Sequence, residues 1–436
     1  QCLLHDVKWA GANLSSTHLI NVEPKQINLD GVNTSRLQLT GMDLSESKKL
    51  AGDFSNAVFS HCNLQRLDMT GCSLVEADLS HSDLSHANLS GVDLSHANLS
   101  HCQLKGARLD GAILNEAFLE AAMLDEVSAL ETQFVGATMI GLNSRQGNFT
   151  AANFSNANGE SIKFIESKLD RALLNDANFS RGEFNAVSLN GSQLVGTKLE
   201  ESTLHQVLIQ DATLERTSFK GALLSEIDLT GNNCVSIDCT GVDLRQVQFA
   251  NTRLTQGIFK EANLDGVNLT TCDISYCDFT AASMKACNLS DVMLINSDFS
   301  QANMEGAIMK GLRGEVSRFI GANMIRVDLS GAKLHGACFD EANLHHADLR
   351  QSQFTDASFI KANAEKIKLE GSHLPWADFS YTNLVSADFR KVNLDGAKTH
   401  CMDDRDTLWE GASRINERVT DRDLATAENW QPPRVK

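Results

Sequence analysis

His61, His81 and His101 stand 20 residues apart, with His86 and His96 between them. Imidazoles repeated at one spacing offer two kinds of chemistry: a shared cation, or a contact that repels once the rings are protonated. A turn position that tolerates any polar side chain gives the same pattern, so the three are a candidate pH-sensitive column and no metal site is assigned. Eleven cysteines invite a disulfide or zinc reading. Cys272 and Cys277 are five residues apart, which is not the CxxC spacing of zinc or redox motifs. No two cysteines differ by 20 residues, so none would meet across neighbouring turns of a 20-residue coil. They read as compact hydrophobes, reduced and hence suited to a reducing compartment.

Asp110, Glu116, Glu120, Asp125, Glu126 and Glu131 lie in a stretch without Lys or Arg, a candidate landing site for a basic partner. Trp376, Tyr381 and Tyr276 fall at outward positions, and large aromatics in water commonly anchor interfaces. Catalytic residues are not found: there is no HExxH, Walker loop, nucleotide fingerprint or nucleophile elbow. Cofactors are expected to be none, and the chain is expected not to be an enzyme. The N-x-S/T matches at Asn88, Asn98 and Asn178 follow automatically from ANLS and ANFS and carry no glycosylation signal.

The elements that position these residues are written in the spacing of the apolar ones. From Leu4 to Leu394 every fifth residue is apolar at all but six of 79 positions, the six being Pro24, Thr34, Lys49, Ser144, Gly159 and Gly314. A period of five fits neither the 3.6 of a helix nor the 2 of a strand. It describes a backbone that turns a corner every five residues, and four sides close one coil. Phe219, Phe259, Phe279, Phe299, Phe319, Phe339, Phe359 and Phe379 repeat at multiples of 20, with Cys239 in the gap, and fix that coil length.

Two positions before each central residue stands a compact one, as at Ala77, Ala87, Ala97 and Ala107, while the residue just before is commonly Asp or Asn. The central residue and its compact predecessor therefore face a narrow interior, and the other three face water or turn the corner. Cys62, Cys72, Cys102, Cys272, Cys277 and Cys287 hold the compact position, and Cys234 and Cys239 the central one.

From Ala77 the chain reads ADLSH, SDLSH, ANLSG, VDLSH, ANLSH. This resembles the pentapeptide-repeat family, with its A(D/N)LXX consensus, over about residues 4 to 399. The resemblance implies an all-β fold, a right-handed quadrilateral parallel β-helix of about twenty 20-residue coils. At the usual strand spacing that is a rod on the order of 95 Å long. Members of the family include topoisomerase-protecting DNA mimics, secreted effectors and domains attached to unrelated partners.

Lys49 and Ala129 are poor central residues followed by Leu50 and Leu130, which predicts a local bulge that recovers an apolar side chain at each. An open solenoid end exposes strand edges and apolar columns. Residues 1–399 are read as the β-helix and 400–436 as a partly helical cap. Thr420 with Asp423 resembles a capping box, Val419 and Leu424 stand at staple positions, and Pro432 with Pro433 stops the element. A helix carrying Leu424, Ala427 and Trp430 is expected to close the last coil. At the other end Leu4, Trp9, Leu14 and Leu19 lack a cover, and an upstream domain or a second copy is expected to supply one.

The net charge of −18 argues against nonspecific binding to nucleic acid or to an anionic membrane, and favours a basic partner. No apolar run spans a bilayer and no signal-peptide pattern opens the sequence. The expectation is a non-enzymatic, rigid protein-interaction scaffold, part of a larger secretion-associated or effector-type protein. It would be cytoplasmic, or delivered by a secretion system without a Sec-type signal. The alternative is a DNA-mimicking modulator of a type II topoisomerase.

Overall fold

The computed structural model describes residues 11–19, 32–428 and 430, so Leu4, Trp9, Pro24, Pro432 and Pro433 lie outside the described residues. Two compact units, Gln1–Asn233 and Cys234–Lys436, divide the chain. Both are parallel β-solenoids with the 20-residue coil. In the first, Phe164 pairs with Phe184 and Phe184 with Leu204. In the second, Leu294 pairs with Gly314 and Gly314 with Leu334.

One pentapeptide shows why this sequence turns where it does. The Ala77 amide donates to the Leu74 carbonyl at 3.0 Å, closing a four-residue turn whose third residue, Glu76, has φ 57°. That is the bond and the left-handed residue of a type II turn. The outward Asp or Asn secures the next corner, for Asp78 Oδ1 accepts the Ser80 amide at 3.0 Å and Asp93 Oδ1 the Ser95 amide at 2.9 Å. Coils are joined by backbone bonds such as Leu79 amide to Asn98 carbonyl and Asn98 amide to Ala77 carbonyl, each 2.8 Å.

The compact inward position has its own logic. Its side chain lies beside the carbonyl 23 residues earlier, and a small donor can satisfy that oxygen a second time. Ser82 Oγ donates to Phe59 at 2.6 Å, Thr132 Oγ1 to Leu109 at 2.7 Å and Cys102 Sγ to Leu79 at 2.9 Å. Ala, Ser, Thr and Cys therefore interchange here. The eight cysteines assigned to interior positions are buried and free. Burial pushes the Cys102 and Cys277 thiols up to about 12, which keeps them protonated and inert.

Phenylalanines from Phe259 to Phe379 form a continuous ladder in the second unit, with adjacent centroids 4.8 to 5.1 Å apart and planes within 9°. Phe219 and Cys239 are buried in their own units. In the first unit Phe134, Phe149, Phe154, Phe164, Phe179 and Phe184 cluster at mixed angles.

The breaks in the pattern are resolved one by one. Thr34 is buried and donates to the Asp53 carbonyl at 2.6 Å, and Ser144 donates to the Leu124 carbonyl at 2.9 Å. A Cβ on Gly159 would lie 2.7 Å from the Phe179 ring, so the ring occupies the space that the glycine leaves. At Lys49 the predicted bulge is present: Lys49 pairs with Asp68, one residue out of register, and Leu50 is buried in its place. At Ala129 it is not. Ala129 stays in frame and fully buried while Leu130 is 38 % exposed, because alanine is apolar and needs no substitute, whereas a lysine ammonium cannot be buried unpaired.

The C-terminal segment corrects two expectations. A helix does form, Arg422–Glu428, but its cap is Asp421, whose Oδ1 accepts the amides of Asp423 and Leu424 at 3.0 and 3.1 Å. The Thr420 hydroxyl is engaged elsewhere, accepting the Cys401 amide at 3.0 Å. The helix is also not an apolar lid: it buries no side chain, and Leu424 and Trp430 are 48 % and 67 % exposed. The last coil is finished instead by its own interior residues. Trp409 lies against Phe389 at 4.7 Å, the Arg414 guanidinium sits 4.3 Å from the Trp409 ring, and Glu417 holds Arg414 and accepts from Thr399 at 2.8 Å.

Candidate partner-binding surfaces

Every outward residue just described stands at a corner or on a flat side of its coil. His61, His81 and His101 occupy one such corner at φ 58°, 59° and 60°. Their rings stack with centroids 4.8 and 4.7 Å apart and planes 4° and 10° from parallel. Parallel rings keep their in-plane nitrogen lone pairs from converging. Among the described residues no group of three or more His, Cys, Asp or Glu is arranged to hold a metal ion. His86 and His96 lie on other corners, the first over Gly106 and the second 3.5 Å from Glu116.

The acidic stretch is not brought together. Twenty residues wrap once around a coil, so a run continuous in sequence is distributed over all four corners. Several of its carboxylates are also tied down locally. Asp110 accepts the Ser128 hydroxyl at 2.5 Å and the Leu130 amide at 3.1 Å, and Asp125 accepts the Arg145 amide at 2.9 Å. Glu126 pairs with Lys105 at 3.2 Å. Glu120 and Glu131 stand on separate corners.

The aromatics fare differently from one another. Trp376 and Tyr381 occupy successive corners of one coil at φ 64° and 61°, flanking the side that carries Asp378. Trp376 is 54 % exposed, and its indole lies over Gly396, where a Cβ would come within 2.4 Å of the ring. A glycine at φ 73° thus forms the seat of an exposed tryptophan. Tyr276 is 53 % exposed on the same corner column as Trp376, five coils away. Tyr381 is occupied within the chain: its hydroxyl bonds Glu428 of the C-terminal helix, and His400 Nε2 lies 3.1 Å from both. The hydrogen bond that Tyr381 donates to Glu428 pushes the Tyr381 phenol up to about 12 and holds the Glu428 carboxyl below its ordinary value. The sequence carried no signal of this cluster, since its three members are 47 residues apart at their widest and only the fold apposes them.

A family model for pentapeptide repeats matches residues 52–74, 72–111, 102–141, 167–206, 209–246, 233–270, 272–311, 317–345, 337–374 and 372–398. The chain belongs to the pentapeptide-repeat family. No curated protein matches it. Among solved structures it is similar to QnrB1, a plasmid-mediated fluoroquinolone resistance protein, at 16 % identity, over 47 % of this chain and 95 % of that one, with a TM-score of 0.20. Similarity to HetL, involved in heterocyst differentiation regulation in the cyanobacterium Nostoc sp. strain PCC 7120, is 19 % identity over 66 % of this chain and 87 % of that one, with a TM-score of 0.14. A pentapeptide repeat protein of the Arabidopsis thaliana thylakoid lumen matches at 26 % identity over 28 % of this chain and 68 % of its own, with a TM-score of 0.12. No described helix is long and apolar enough to cross a membrane.

Proposed function

We propose that the chain is a non-enzymatic protein-interaction scaffold, and that Trp376 anchors the partner. The observation that carries this reading is the seat under Trp376. A tryptophan half in water, held against a positive-φ glycine, presents a large rigid apolar face with little rotamer entropy left to lose on binding. Tyr276, on the same corner column, extends the surface. Tyr381 serves to hold the C-terminal helix, so its part in binding is indirect. The acidic corners add long-range attraction for a basic partner, of the kind that speeds encounter and weakens with salt.

The test is affinity purification with mass spectrometry on the intact chain and on two variants. Trp376→Ala is expected to lose a partner that the intact chain and Tyr381→Phe both retain, with unchanged circular dichroism in all three. A partner retained by Trp376→Ala would move the interface elsewhere.

A further inference from the structure

The second unit lacks its central apolar residue at Gly314, in the middle of three paired strands, Met293–Ile295, Arg313–Glu315 and Lys333–His335. Gly314 holds a central core position, where its neighbours on either side, Leu294 and Leu334, carry large buried side chains. A Cβ there would lie 1.9 Å from the Leu294 carbonyl oxygen, so the backbone follows a path here that only glycine fits. Most compact-position donors take the carbonyl 23 residues earlier, as Ser297 takes Ile274 at 2.9 Å, but Ser317, like Ser47, is buried with its hydroxyl unpartnered.

A groove of about 360 Å³ lies on the outer surface here, floored by Gly314, which has no side chain to fill it. Its walls are the outward residues on either side of Gly314. Arg313 and Lys333 are directly paired in register on one wall, with Glu315 across from them and Met293 and Ile295 at one end. Like charges placed directly opposite in a sheet repel. Where the acid comes first, as in Asp348 with Arg350 and Asp243 with Arg245, the arginine closes onto it at 2.6 and 2.7 Å. In Arg313 and Glu315 the order is reversed and no such ion pair forms, and the groove lies between them. Two unpaired cations side by side, in a chain of net charge −18, leave a local site for an anion.

We propose that this groove binds a small amphiphilic monocarboxylate, its carboxylate held by Arg313 and Lys333 and its hydrocarbon laid on Met293 and Ile295. Two flanking cations suit one carboxylate. Glu315 on the facing wall repels a second negative charge and so selects against polyanions. The apolar end makes a hydrocarbon tail part of the affinity.

Isothermal titration calorimetry of the full chain with octanoate, acetate and pyrophosphate tests this. Octanoate is expected to bind saturably at one site, more tightly than either small anion. Because Arg313 and Lys333 are exposed, Arg313→Gln with Lys333→Gln leaves the fold intact and is expected to weaken octanoate roughly tenfold or more, about 1.4 kcal/mol. Ile295→Asp is expected to weaken octanoate and leave acetate unchanged. Pyrophosphate binding more tightly than octanoate, octanoate affinity unmoved by the double substitution, or no saturable heat at millimolar octanoate would each overturn the proposal.

Discussion

At the scale of single residues the repeat works by giving each of five positions one hydrogen-bonding task, and deviations become informative because the task is known. Ser297 and Ser317 occupy the same position on successive coils, both buried, one bonded to the carbonyl 23 residues before it and one not. Removing a satisfied hydroxyl loses a hydrogen bond, while removing an orphaned one relieves a desolvation cost. Ser297→Ala is therefore expected to destabilise the second unit by about 1 kcal/mol, and Ser317→Ala to stabilise it by about 1 kcal/mol. Urea melts of the two variants beside the parent check this, and a loss of stability in both would mean that Ser317 finds a partner in solution. Position in the repeat alone would assign the two serines one role.

At the scale of the element, the stacked column is the unit of stability. The rings of Phe279, Phe299 and Phe319 touch face to face at 4.9 and 5.1 Å and are fully buried, so each supports the next coil. Phe299→Ala is expected to cost roughly 3 to 5 kcal/mol, the range for a large buried side chain whose cavity does not collapse. Coils of a solenoid interact chiefly with their neighbours, so the loss should be local. Hydrogen exchange should quicken in residues 279–339 and leave residues 52–141 as they were. Uniform protection across both stretches, with an unchanged midpoint, would show that the column bears little of the stability.

For the whole molecule the acidity has two parts that the net charge does not separate. Many aspartates are turn residues first. Asp43 and Asp53 are held below their ordinary value of 3.8 by the hydroxyl and then the amide of the serine two residues on. Asp388 is lowered chiefly by its bond from Arg390. A group whose folded value is depressed adds stability above its unfolded value and loses it as pH falls through the folded one. Urea midpoints should thus be level from neutral pH down to about 5 and decline below about 4. Asp43→Asn, which keeps an acceptor oxygen but cannot titrate, should flatten its share of that decline. A midpoint that rises on acidification would mean that charge repulsion outweighs these turn bonds.

The sequence by itself determined the coil. A five-residue beat that holds its frame through most of the chain leaves one way to bury Leu and Phe, and the same beat placed the cysteines, the turn aspartates and the phenylalanine ladder. It also marked Gly314 and Lys49 as breaks. The tertiary structure alone decided what each break became, because that depends on what the neighbouring coils can fill. Lys49 yields to Leu50, Ala129 is simply accepted, and Gly314 leaves Arg313 and Lys333 beside a groove. The same holds for surfaces. Residues adjacent in sequence, such as the acids from Asp110 to Glu131, are spread around the coil by its corners, while Tyr381, His400 and Glu428 are brought into one hydrogen-bonded group. Interior positions repeat and can be read from spacing, whereas surface contacts join residues whose separations follow no period, and only the folded chain brings them together.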